Sequence, residues 1–137
     1  MLNFNGQWTT SNGDNGKSVR IDVKTAKHSE TGEEILEYKI YDDIGKLIHV
    51  VKLKRDVLLK VSCNGGYADK QYNAEKRAGN GGNGGNITLN VDPSVGDNYQ
   101  FDYSNIGGNA GTNTKNPLNN GTNGRDGKFT KNVKTVN

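Results

Sequence analysis

The chain has 137 residues, enough for one domain or two small lobes, with 18 basic and 15 acidic residues and a formal net charge of +3. Only 31% of residues are hydrophobic, against roughly 45–50% (glycine included) in an average domain, so backbone and amide hydrogen bonds have to hold the chain; full disorder is the competing expectation. The mixed charge argues against a nucleic-acid binder, the single Cys63 excludes an intramolecular disulfide scaffold, and the lack of a long apolar run excludes a membrane-spanning helix.

The first eight residues, M-L-N-F-N-G-Q-W, lack the basic start and apolar stretch of a signal peptide, which leaves the cytoplasm, a virion or export by another route. Phe4 and Trp8 allow a short first strand, and S-N-G-D-N-G at 11–16 reads as a turn cluster whose Asn-Gly pairs suit positive φ. Val19, Ile21 and Val23 alternate with Arg20, Asp22 and Lys24, the pattern of a half-buried strand over 17–27. A turn at 28–32 leads to a second strand carrying Leu36, Tyr38 and Ile40, and 42–45 makes the next tight turn. Residues 46–54 alternate with Leu47, His49, Val51 and Leu53 on one face, and 57–63 is the most hydrophobic stretch, a central strand that buries Cys63 as an inert thiol. The expectation is an antiparallel meander of about four strands forming a first lobe, residues 1–63.

Residues 64–66 break the strand, and 67–78 is polar, a loop or one helical turn. The tract 78–86 then reads A-G-N-G-G-N-G-G-N. Gly79, Gly82 and Gly85 share one phase of a three-residue period and Asn80, Asn83 and Asn86 a second, the repeat of a polyproline II-type helix. Such a helix has no internal hydrogen bonds, and glycine lets neighbours approach its backbone, so the tract reads as a packing element. Ile87, Leu89 and Val91 alternate in a strand, residues 92–94 turn, and Tyr99, Phe101 and Tyr103 give another strand; the two are expected to pair as a hairpin. Glycine returns at Gly107, Gly108 and Gly111, and the three-residue period at Gly121, Gly124 and Gly127, before a closing strand over 128–136. The expected fold is all-β: the meander lobe, then a glycine-rich lobe, 64–137, of polyglycine II helices packed with a hairpin.

The G-N-G-G-N-G-G tract joined to short strands and loops resembles the glycine-rich polyglycine II proteins, a class that includes bacterial collagen-like surface proteins and bacteriophage tail-tip adhesins; the resemblance covers the chain from Gly79 onward. It implies Gly79, Gly82, Gly85, Gly108, Gly111, Gly121, Gly124 and Gly127 as a structural scaffold.

No pattern carries catalysis. The G-x-G-x-x-G match at 79–84 lacks the strand before and the helix after that a dinucleotide site needs, so no cofactor is expected. The approach of 81–89 to a calcium nonapeptide puts Asn86 where an acid belongs, and Asp92, Asp97 and Asp102 read as turn caps. His28 and His49 have no ligand or carboxylate at useful spacing, so neither a metal site nor a catalytic base follows. Lys46, Lys52, Lys54, Arg55 and Lys60, with Lys128, Lys131 and Lys134, read as strand lysines that block unwanted pairing. The chain is therefore expected to be a non-enzymatic structural protein that assembles with its own copies or with other subunits into a filament, coat or appendage. The alternative is an adhesin or receptor-binding module whose loops 67–78 and 105–120, with Tyr67, Tyr72, Asn109, Asn113 and Asn116, recognise a glycan or surface receptor. An ice-binding protein is the third reading.

Overall fold

In the computed structural model, alternating Val19, Ile21 and Val23 build β2 (Val19–Lys27), which β3 (Glu34–Tyr41) and β4 (Leu47–Leu53) follow as an antiparallel meander, after a two-residue β1 (Leu2–Asn3). The structure describes residues 1–9 and 11–137. Gly32 and Gly45 turn the two hairpins at φ +70° and +86°, a region closed to most side chains. β5 (Leu58–Ser62), β6 (Ile87–Val91), β7 (Gln100–Ser104) and β8 (Phe129–Val133) complete an all-β chain with no α-helix among the described residues and one 3-10 turn, Pro117–Asn119. A five-stranded sheet has the order β4-β3-β2-β6-β8, and a three-stranded sheet the order β1-β5-β7.

Two strand pairings differ from the sequence expectation. The strand 57–63 does not extend the meander: β5 pairs parallel with β1, Leu2 opposite Val61, and β4 stays a sheet edge with Lys52 exposed on it. The expected hairpin of β6 and β7 does not form either. β6 lies between β2 and β8 and is parallel to both, with Val19 opposite Ile87 and Ile87 opposite Phe129. The reason is in the tracts that precede these strands. Asn80 bonds Asn12 at an offset of 68 residues and Thr122 bonds Asn80 at an offset of 42, the same offsets that the strand pairs keep.

By contact the chain gathers into two compact units, each built from three stretches: Met1–Ser18, Val61–Asn86 and Tyr103–Lys128 in one, Val19–Lys60, Ile87–Asp102 and Phe129–Asn137 in the other. The chain passes between them five times, and each unit draws on both of the stretches 1–63 and 64–137. The second unit holds the five-stranded sheet, whose buried residues include Ile21, Val23, Leu36, Tyr38, Ile40, Leu89 and Val91. The Tyr38 hydroxyl is buried with no hydrogen-bond partner among the described residues, and burial, with a smaller contribution from Tyr99, pushes its pKa up to about 12. In the first unit the buried Cys63 thiol is raised to about 12 by burial, which keeps it an inert thiol at neutral pH.

Most of the first unit consists of tracts that, apart from Asn3 of β1, are neither helix nor strand: 3–9, 11–18, 63–69, 78–86, 105–113 and 121–128. No backbone hydrogen bond joins two described residues of one tract; the bonds run between tracts at intervals of three residues. In the tract 78–86 each phase has its own acceptor. Gly81 and Gly84 donate to the carbonyls of Thr122 and Arg125, and Gly82 and Gly85 to those of Gly66 and Cys63, all at 2.7–2.9 Å. Asn80, Asn83 and Asn86 donate to the side chains of Asn12, Asn15 and Ser18 at 2.8–3.0 Å. The expected turn at 11–16 is therefore one of the tracts. Gly13 and Gly16 donate to the carbonyls of Asn80 and Asn83 at 2.8 Å, and neither has positive φ.

Glycine is needed here for approach rather than for φ. A β-carbon added at Gly82 would overlap the carbonyl oxygen of Asp14, and those added at Gly79, Gly85, Gly108, Gly121, Gly124 and Gly127 would meet other tract carbonyls in the same way. These obstacles are backbone and cannot rotate aside. Gly82→Ala should cost about 3 kcal/mol or more in urea-unfolding measurements, whereas Gly45→Ala, with open space around it but a positive φ, should cost about 1–2 kcal/mol.

Candidate recognition surface

The loop 67–78 and the later stretch 105–120, read from the sequence as recognition elements, lie in the same unit and are joined by amide side chains. Asn113 is buried, and both ends of its amide are used. Nδ2 donates to the carbonyls of Asn73 (2.9 Å) and Lys76 (2.7 Å), and Oδ1 accepts from the amides of Lys115 (3.0 Å) and Asn116 (2.9 Å). Asn116 caps the 3-10 turn by accepting from Leu118 N, and its Nδ2, with that of Asn119, donates to the Ala74 carbonyl. Asn113 and Asn116 are thus clamps of the loop pair, not groups offered to a ligand. Beside the clamps, Tyr72 and Leu118 stay exposed, at 65% and 88%.

Tyr67 and Asn109 are placed differently. Tyr67 is exposed, with its ring stacked on that of Trp8 at 5.8 Å between centroids and 9° between planes. Both border an open groove of about 440 Å³ over the tracts 3–9, 63–69 and 105–113, lined also by Asn3, Gln7, Ile106 and Asn109. The sequence reading missed Trp8, Gln7 and Ile106. The one signal for Trp8 and Ile106 was phase: residues 5 and 8, 64 and 67, and 106 and 109 each lie three apart, and this becomes visible only once the three tracts are laid side by side.

The other sequence candidates are engaged in the fold. Arg55 donates through Nε and Nη2 to Glu34 Oε1 and through Nη1 to the carbonyls of Val95 and Asn98. Lys52 pairs at 4.0 Å with the largely buried Glu37, which Lys24 and Lys39 also face, and Lys54 pairs with Glu33 at 3.9 Å, an exposed pair worth little by itself. Lys131 sits over the Tyr99 ring at 5.5 Å, and its hydrogen bond with Tyr99 holds its pKa above the ordinary lysine value. The Asp92 carboxylate accepts from the amides of Val136 and Ser94, which lowers its pKa. His28 Nδ1 accepts from the amides of Glu30 and Thr31 in a turn. Among the described residues no three His, Cys, Asp or Glu side chains gather where they could hold a metal, and no helix is long and apolar enough to cross a membrane.

A scan of protein-family models, a search of curated proteins and a search of solved structures each returned no match to this chain.

The amide clamp gives a direct contrast between two asparagines. Asn113→Ala would strand two carbonyls and two amides and should lower unfolding free energy by about 1–3 kcal/mol. Asn109→Ala, on the exposed groove wall, should stay within about 0.5 kcal/mol in the same denaturant titration.

Proposed function

We propose that the six tracts are polyglycine II helices packed as a bundle, and that the chain is a non-enzymatic recognition module in which this bundle is the rigid scaffold. The bond pattern of the tract 78–86 supports the helix type: three residues per repeat, no bond within the tract, and every amide from Asn80 to Asn86 satisfied by a neighbouring tract. The reading accords with the resemblance to surface and tail-tip proteins of this class.

The single observation that favours recognition over self-assembly is how the amide ladder ends. Asn12, Asn15 and Ser18 accept from the amides of the tract 78–86, and Asn80, Asn83 and Asn86 accept in turn from Thr122, Arg125 and Lys128. The tract 121–128 carries Thr122, Arg125 and Lys128 where an incoming tract would need acceptors. Arginine and lysine side chains have none. A further tract on this side, whether from this chain or from a copy, would meet two cations and find no acceptor at two of its three repeats, so the bundle ends here and this surface is left for a partner.

Light scattering on eluting peaks tests this directly. The expected mass is the 14.9 kDa of one chain over the whole concentration range, while mass growing with concentration would restore filament or coat assembly as the better reading. Replacing Arg125 and Lys128 together by Asn should introduce concentration-dependent association.

A further inference from the structure

The three tracts that form the groove follow the same ladder rule as the rest of the bundle in one row and break it in the next. Where the rule holds, the amide of Asn64 donates to Asn5 Oδ1 at 2.7 Å and that of Ile106 to Asn64 Oδ1 at 2.9 Å. Three residues on, the corresponding positions are Trp8, Tyr67 and Asn109. Neither ring supplies an amide-type acceptor, and the backbone amides of Tyr67 and Asn109 donate to no other described residue. Trp8 and Tyr67 stack on one another instead and stay 49% and 52% exposed. Two asparagines here would have satisfied both amides. The aromatic pair is thus a local departure from what the scaffold asks for, and departures of this kind mark positions kept for something other than folding.

We infer that this groove binds a neutral saccharide, with the Trp8–Tyr67 pair as the stacking platform. The inference rests on the reading of the chain as a recognition module and gives that module a site and a ligand class. About 440 Å³ suits a small oligosaccharide segment. None of the lining residues is charged, although 24% of the chain is. The groove therefore offers nothing to neutralise a phosphate, sulfate or carboxylate, and a nucleic acid or acidic glycan would find no cation in it. What it offers is complementary to a sugar ring. Flat aromatic surface and the exposed Ile106 side chain meet the C–H faces. The side-chain amides of Gln7 and Asn109, which make no hydrogen bond to another described residue, can meet the hydroxyls together with the free N–H groups of Tyr67 and Asn109.

Trp8 is the only tryptophan in the chain, so its fluorescence reports this groove alone. The whole protein is titrated with neutral gluco-, manno-, galacto- and N-acetylglucosamine oligosaccharides, with heparin as the anionic comparison, and applied in parallel to a glycan array. At least one neutral oligosaccharide should change Trp8 emission saturably, and Tyr67→Ala should weaken that binding at least tenfold. The double substitution Trp8→Asn with Tyr67→Asn supplies the two missing acceptors. It should keep or raise Tm while abolishing array binding. The inference is overturned if no neutral saccharide binds, if heparin alone does, if binding survives the double substitution, or if that substitution lowers Tm and so shows the aromatic pair to be part of the fold. Array binding that survives it but is lost when 112–120 is exchanged would overturn the groove site and leave the recognition reading standing.

Discussion

A chain segment that makes no hydrogen bonds with itself must find, for every amide it buries, an acceptor on a neighbour, and an orphaned amide costs about 1–3 kcal/mol. From Asn80 to Asn86 the tract meets that requirement at every residue, in a way that accounts for its sequence. Its three phases face three kinds of acceptor: carbonyls of one neighbour, carbonyls of a second, and side-chain oxygens of a third. Two phases must be glycine because the neighbouring carbonyls occupy the space of a β-carbon. The third can carry a side chain, and asparagine is chosen because its Oδ1 accepts from the tract beyond. A thin hydrophobic core and 20 asparagines are two sides of one solution.

The same rule connects the two kinds of architecture in the molecule. Three tracts keep a fixed sequence offset, and the strands that continue them, β2, β6 and β8, keep it too, so these strands are parallel in spite of lying in a chain rich in hairpin signals. The side-chain ladder also persists there: Asn90 Nδ2 donates to Asp22 Oδ1 at 2.8 Å and Asn132 Nδ2 to Asn90 Oδ1 at 3.1 Å. Where the ladder stops, the stopping residues differ in kind. Arg125 and Lys128 end it with charge, while Trp8 and Tyr67 interrupt it with exposed rings. The first is a boundary and the second, on our reading, a site.

Much of this was legible in the sequence where local pattern decides structure. Period-two alternation placed β2, β3 and β4, and the phase of Gly79, Gly82 and Gly85 marked the packing tract. What escaped was non-local. Residues 11–16 were read as a turn because Asn-Gly pairs favour turns when taken alone, and only the partner 68 residues away makes them part of a tract. The same distance turned an expected β6–β7 hairpin into a parallel pairing with β2. Among the recognition candidates, Tyr67 and Asn109 border the groove, whereas Asn113 and Asn116 are tied into the loop clamp; composition cannot separate an asparagine that clamps from one that waits for a ligand. Trp8 was overlooked because its neighbour Tyr67 is distant in sequence.

Amide hydrogen exchange, followed residue by residue, tests the central claim that every phase of the tract 78–86 is held by a neighbour. Gly81, Gly82 and Asn83 should all exchange as slowly as the buried Cys63 amide of the same unit, through opening of that unit, although none of them lies in a helix or strand. If Asn83 or Gly81 instead exchanges at the rate of an unstructured chain while Cys63 stays protected, the tract is a flexible linker and the account fails.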